Sequence, residues 1–169
     1  MMLAAGMIKQ LPRIICAQAS QADPLYRSYI NGFAPLEPVQ AGETFASAIR
    51  IGNPVSFPKA VQALRAMNGV VCSVSESELC SAAHEADSTG SYVCPHTAIA
   101  LAAVKQLRAT ESIQKGQSVV VVATAHGLKF TEFKTALAQN PALAVHTPSE
   151  RLISVADRYE DVLKAALDL

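Results

Sequence analysis

Apolar and polar positions alternate along this chain between a strand-like and a helix-like period, and the alternation predicts strands followed by helices. Met1 to Gln10 reads as the end of a helix, stopped by Pro12, and Arg13 to Gln18 as a short strand. Asp23-Pro24 is a helix start, with aspartate at the N-cap and proline at the first helical position. That helix ends near Asn31-Gly32, and Ala34 to Gly42 reads as loop. Pro58 opens the next helix, with Val61, Leu64 and Met67 on its apolar side and Asn68-Gly69 closing it. Val70 to Val74 is a strand. Ser75-x-x-Glu78 is a capping box, followed by a helix to about Ala86. Pro95 begins another helix, whose buried side carries Ala98, Leu101, Ala102 and Leu107. Ser118 to Ala123 reads as the last strand. Its continuous run Val119 to Val122 suits a central parallel strand buried on both faces. Asp157 to Leu167 places Val162, Leu163, Ala166 and Leu167 on one side, as a surface helix over the core. Strands alternating with helices predict a three-layer α/β fold with a mainly parallel sheet.

Composition narrows the function classes. A chain of 169 residues, half of them hydrophobic, buries one core. Fourteen basic and fourteen acidic residues give no net charge, so neither a nucleic-acid partner nor a basic stripe is expected. The longest apolar runs are too short to span a bilayer, so no membrane partner is expected either. The four cysteines, Cys16, Cys72, Cys80 and Cys94, match no CxxC spacing and read as buried reduced thiols, with no metal site implied.

The candidate chemistry gathers where the valine run meets Ala123-Thr124-Ala125-His126-Gly127. Ligands of open α/β sheets bind beyond the carboxyl ends of strands, and small residues there let the backbone approach a flat ligand. Thr124 offers one hydroxyl, or else caps a helix. Gly127 supplies positive φ to the turn. His126 suits acid-base work or fixes the turn by hydrogen bonds. His84 is expected in solvent, and His96 stands at a helix start, where the dipole disfavours its cation. Arg50 is suited to an anion or to a structural ion pair. Cys94 reads as a core thiol rather than a nucleophile.

The wording of these segments is more specific than their spacing. ATAHGLKF, from Ala123 to Phe130, closely resembles the carboxy-terminal signature of the threonine synthase family, pyridoxal-phosphate enzymes of the tryptophan-synthase-β (fold type II) group. Cys16-Ala17-Gln18-Ala19 with Asp23-Pro24-Leu25-Tyr26, and Thr44-Phe45-Ala46-Ser47-Ala48-Ile49-Arg50-Ile51-Gly52-Asn53-Pro54, are similar to two further family blocks. Asp87-Ser88-Thr89-Gly90 with Cys94-Pro95-His96-Thr97 resembles the plant-type form most. Four blocks in order cover most of the chain from about Leu11 to Phe130.

The resemblance implies a partial fold-type-II domain and pyridoxal phosphate as cofactor. It implies that Thr124 meets the pyridine nitrogen and that Ala48 lies against the ring. Thr44 and Ser47 either cap a helix or reach the active site. The family's cofactor-binding lysine and its glycine-rich phosphate loop fall before the first matching block, and neither pattern occurs in this chain. No catalytic residue is therefore expected here, and Lys129 is rejected as a Schiff-base candidate because the family carries a lysine at that position besides its catalytic one. The chain reads as residues 1–169 of one partial domain, the carboxy-terminal half of the large cofactor-binding domain, with 140–169 as an extension bearing a surface helix. The family's substrate is O-phosphohomoserine, its products threonine and phosphate. A homodimer and a cytoplasmic or plastid-stromal location are implied for the complete enzyme; this chain alone is expected to be inactive and to bind the cofactor weakly at best. The alternatives are a related enzyme such as a threonine dehydratase or cysteine synthase, or a non-catalytic α/β fragment.

Overall fold

The computed structural model describes residues 1–139 and 153–168. Two strands, β1 (Ile15–Ala19) and β2 (Val70–Val74), pair in parallel with Ile15 opposite Val70 and Ala19 opposite Val74. A parallel pair needs a long crossover, supplied here by α1 (Pro24–Ile30), a long loop and α2 (Phe57–Ala66). After β2 come α3 (Glu76–Ser88), α4 (Pro95–Ala109), α5 (Thr131–Gln139) and α6 (Tyr159–Leu167).

The period-two alternation of the strands explains the layers. Ile15, Ala17 and Ala19 with Val70, Cys72 and Val74 face a large core built on α3 and α4. Ile14, Cys16 and Val71 face the other way, into a smaller cluster with Leu25 of α1 and Leu64 of α2. Helices thus cover both sides of a parallel sheet, the three-layer arrangement expected from sequence.

Local chemistry sets the helix ends. The capping box forms: the Glu78 N–H donates to Ser75 Oγ at 3.3 Å, and the Ser75 N–H to Glu78 Oε2 at 2.8 Å. At the end of α2, Asn68 takes the left-handed conformation (φ 47°), and the Gly69 N–H donates back to the Leu64 carbonyl at 2.7 Å. Asp23 differs from expectation. It makes no side-chain cap. One of its oxygens accepts from Arg27 Nε and the other from Ser73 Oγ, each at 2.8 Å, tying α1 to β2.

Three further expectations are corrected. Residues 118–123 form no strand, and Val120 and Val122 are 89% and 72% exposed. An apolar run becomes a strand only where a neighbour completes its ladder. Val119 and Val120 instead line an open cavity of about 1320 Å³ together with Ile15 of β1, so the valines lie across a gap from the sheet. Residues 1–10 form turns rather than a helix end. α6 exists, but Val162, Leu163 and Leu167 are exposed rather than packed on the core. The expected boundary at residue 140 lies outside the described residues.

Candidate functional site

The site is organised by the first turn of α4. Pro95 occupies its first position, which places Cys94 at the N-cap. Cys94 Sγ accepts the Thr97 N–H at 3.4 Å and lies 3.2 Å from Thr97 Oγ1. The Thr97 hydroxyl oxygen in turn accepts the Thr124 N–H at 3.3 Å, and Thr124 Oγ1 lies 3.6 Å from Cys94 Sγ. Thr124 is therefore held by backbone and side chain against one turn of helix, while the residue stays exposed.

Ala48 reaches the same turn from another direction. Its N–H donates to His96 Nε2 at 2.9 Å, so that nitrogen carries no proton and the ring proton sits on Nδ1. The loop bearing Ala48 is fastened at several points. The Phe45 N–H donates to Glu76 Oε2 at 3.1 Å, the Phe45 ring packs 5.1 Å from that of Phe133, and Ala46 is fully buried. Thr44 Oγ1 accepts the Ala46 N–H at 3.1 Å, which is the turn-capping role. Ser47 begins a short 3-10 turn, Ser47–Ile49, in which the exposed Ala48 is the middle residue. The two residues singled out for the cofactor, Thr124 and Ala48, thus meet the same helical turn through Cys94, Thr97 and His96.

The other candidates fall into structural roles. Arg50 pairs with Glu43 at 2.7 Å. His126 Nδ1 accepts the Leu128 N–H at 3.2 Å and fixes the turn Gly127–Lys129. Lys129 is exposed at the end of that turn. Gly127 is required for space and not for positive φ: a Cβ there would stand 2.7 Å from both Lys134 Cε and Tyr92 Cδ1. His84 is buried, not solvated, and its Nε2 has no hydrogen-bond partner. Among the described residues no cluster of histidine, cysteine and carboxylate side chains is arranged to hold a metal, and no helix is long and apolar enough to cross a membrane.

Cys94 is the residue whose character the sequence reading missed. It is a core residue with no exposed surface, but not an ordinary thiol. Burial pushes its pKa up; hydrogen bonds from the Thr97 hydroxyl, the Thr97 N–H, Thr124 and His96 outweigh this and bring it down to about 6. Burial moves Cys16 and Cys72 the other way, and it raises Cys80 to about 11. A signal was present in the sequence. A cysteine directly before a proline that opens a helix is at the N-cap, where helix N–H groups favour a thiolate.

The domain is of α/β class, with helices on both faces of a parallel sheet and with small and hydroxyl-bearing residues gathered at one helix N-terminus. The family described as pyridoxal-phosphate dependent enzyme matches residues 1–125, and the chain belongs to that family. It is 50% identical over 130 residues to threonine synthase 2, chloroplastic, of Arabidopsis thaliana, a match covering 76% of this chain and 25% of the relative. It is 34% identical over 125 residues to the threonine synthase of Methanocaldococcus jannaschii, covering 73% of this chain and 31% of the relative. The threonine synthase of Mycobacterium tuberculosis strain H37Rv is 34% identical over 140 residues, covering 82% and 36%. The matched part of this chain thus spans about a quarter to a third of the length of these relatives.

The chemistry of the residues present, one hydroxyl and one small side chain, is compatible with a flat heteroaromatic ring. Thr124 and Ala48 are both exposed residues, and the Ala48 side chain is small. The family's cofactor is pyridoxal phosphate.

Proposed function

We propose that this chain carries the pyridine-nitrogen side of the cofactor site in an enzyme of threonine-synthase type, which converts O-phosphohomoserine and water into threonine and phosphate. One observation carries the reading. Thr124 and Ala48, far apart in sequence, are fastened to the same turn of α4 while both remain exposed. The names of the relatives support threonine as the product. When bound, the cofactor supplies an electron sink for bond cleavage at the amino-acid substrate. This chain's residues position it. Thr124 gives the ring nitrogen one hydrogen bond, Ala48 leaves room at the ring face, and His96 holds the Ala48 backbone in place. The unit we propose is residues 1–169 as one partial cofactor-binding domain, acting in a homodimer. The chloroplastic relative supports the plastid stroma as its compartment, with the cytoplasm as the alternative.

The test uses the purified chain. After dialysis against cofactor-free buffer it is expected to be colourless and to leave O-phosphohomoserine unconverted. One hydrogen bond contributes about 0.5–1.5 kcal/mol net, roughly a tenfold effect on a dissociation constant, which is too little to retain a cofactor. Added pyridoxal phosphate at high concentration is expected to move the amide resonances of Thr124 and Ala48, and Thr124→Val to weaken that response by about tenfold. A response confined to other residues overturns the reading. So does a near-visible band that survives dialysis and maps to Lys129 after borohydride reduction.

A further inference from the structure

Hydrogen bonds from Thr97, Thr124 and His96 converge on Cys94 Sγ, and one of them comes from the residue assigned to the cofactor ring. We propose that Cys94 and Thr124 form a proton relay ending at the ring nitrogen, which makes Cys94 a positioning residue that sets the protonation of that nitrogen through the Thr124 hydroxyl. The proposal rests on the cofactor reading given above and deepens it.

The geometry supplies the path. Sγ lies 3.2 Å from Thr97 Oγ1, 3.6 Å from Thr124 Oγ1 and 3.4 Å from the Thr97 nitrogen. The Thr97 oxygen already accepts the Thr124 N–H, so its own proton is free to point at sulfur. The thiol has no exposed surface, and these donors stand in for water around it. They favour the anionic form, with the Cys94 pKa at about 6.

A thiolate changes what Thr124 offers to a ligand. While the hydroxyl donates to Sγ, its outward lone pair accepts, and its match is a protonated ring nitrogen. When sulfur carries the proton, the hydroxyl turns outward and donates to a neutral nitrogen. The two arrangements hold the same atoms and the same number of protons. In passing between them, the proton on Sγ moves to Thr124 Oγ1 as the proton of Oγ1 moves to the ring nitrogen. No other reactant is required. An isolated hydroxyl does not enforce a protonated ring; a hydroxyl backed by a thiolate favours one through the opposite charge behind it. The ionisable groups around the pair leave that role to sulfur. His96 faces the sulfur as a donor, its Nε2 being occupied by the Ala48 N–H, and His126 Nδ1 accepts from Leu128. The Lys134 ammonium is held by Asp87.

Two measurements on the intact chain test the relay. First, thiolate absorbance is followed against pH. A midpoint near pH 6 is expected, separate from the other cysteines, lost in Cys94→Ser and raised in Thr124→Val. Second, 4′-deoxypyridoxine 5′-phosphate, which forms no bond to lysine, is titrated in while ring absorbance and the Thr124 amide are recorded. The ring nitrogen is expected to keep its proton to higher pH when bound than when free. Cys94→Asp should keep this shift and Cys94→Ser abolish it. A thiolate that forms only at or above pH 9.0, the ordinary value, overturns the relay. So does a bound ring that titrates as the free one does while the Thr124 amide responds. An unresponsive Thr124 amide beside a low thiolate midpoint overturns the ring assignment itself, and with it the relay's end point, so the two failures read differently.

Discussion

Beside Gly127 lies a buried ion pair, and breaking it is expected to cost more than any other single change described here. Lys134 of α5 binds Asp87 of α3 with side-chain exposures of 6% and 2%. The Lys134 ammonium also stands 4.1 Å above the Tyr92 ring, and the Tyr92 carbonyl accepts the Gly127 N–H at 2.9 Å. Removing the lysine charge leaves a buried carboxylate without its partner, and its Oδ1 already lacks a hydrogen bond. Loss of one member of such a pair costs about 3–5 kcal/mol, and loss of the cation from the aromatic face adds about 0.5–2 kcal/mol. Lys134→Met is therefore expected to lower stability by about 4 kcal/mol. At a urea slope of about 2 kcal/mol per molar this moves the unfolding midpoint down by about 2 M. Asp87→Leu alone is expected to cost about as much, because it strands the ammonium. The double variant, which buries neither charge, is expected to recover a large part of the loss. Additive losses in the double variant, or a single-variant cost below about 0.5 kcal/mol of the kind seen for surface pairs, would refute the reasoning.

Two further predictions follow from local geometry. Burial pushes the Glu78 carboxyl up, but hydrogen bonds from Gln106 and Ser75 hold it below its usual range. Its stabilisation is thus present above the unfolded value of about 4.3 and is lost as pH falls through the folded one, so Glu78→Gln should flatten the acid limb of stability against pH; an unchanged limb counts against the capping box as its source. At Gly52 a Cβ would lie 1.8 Å from the Val39 carbonyl oxygen, so Gly52→Ala should force the two loop segments apart and cost about 1–3 kcal/mol. A melting temperature equal to wild type would show that the loop yields freely.

The elements with local signatures were legible. Val70–Val74 carries a β-branched run between a Gly and a capping serine, and both of its ends came out as expected. The proline that opens α4 and the Asn-Gly that closes α2 act within one turn, so spacing alone locates them. Val119–Val122 has the same composition as a strand, and composition is where the inference stopped. A ladder is a property of two segments, and the run faces a cavity instead of a neighbour. Asp23 looked like a cap because it precedes a proline, but a serine fifty positions away competes for its carboxylate. His84 sits in a helix whose buried side is mostly alanine and cysteine, so little apolar contrast marked its face as inward.

The candidate site divides along the same line. Thr124 and Ala48 entered through the wording of family blocks, since an alanine has no chemistry of its own and a lone threonine is an ordinary cap. What joins them is long-range: Ala48 meets His96 across 48 positions, and Thr124 meets Thr97 across 27 and Cys94 across 30. Each of these contacts ends on residues 94–97, and the proline among them fixes that turn's backbone. A change that shifts this turn therefore moves the ring-facing hydroxyl and the Ala48 backbone together. Changes on α2, which packs on the opposite face of the sheet, should reach the site only through global stability. A turn that sequence located without difficulty is thus the turn on which the unpredictable contacts converge.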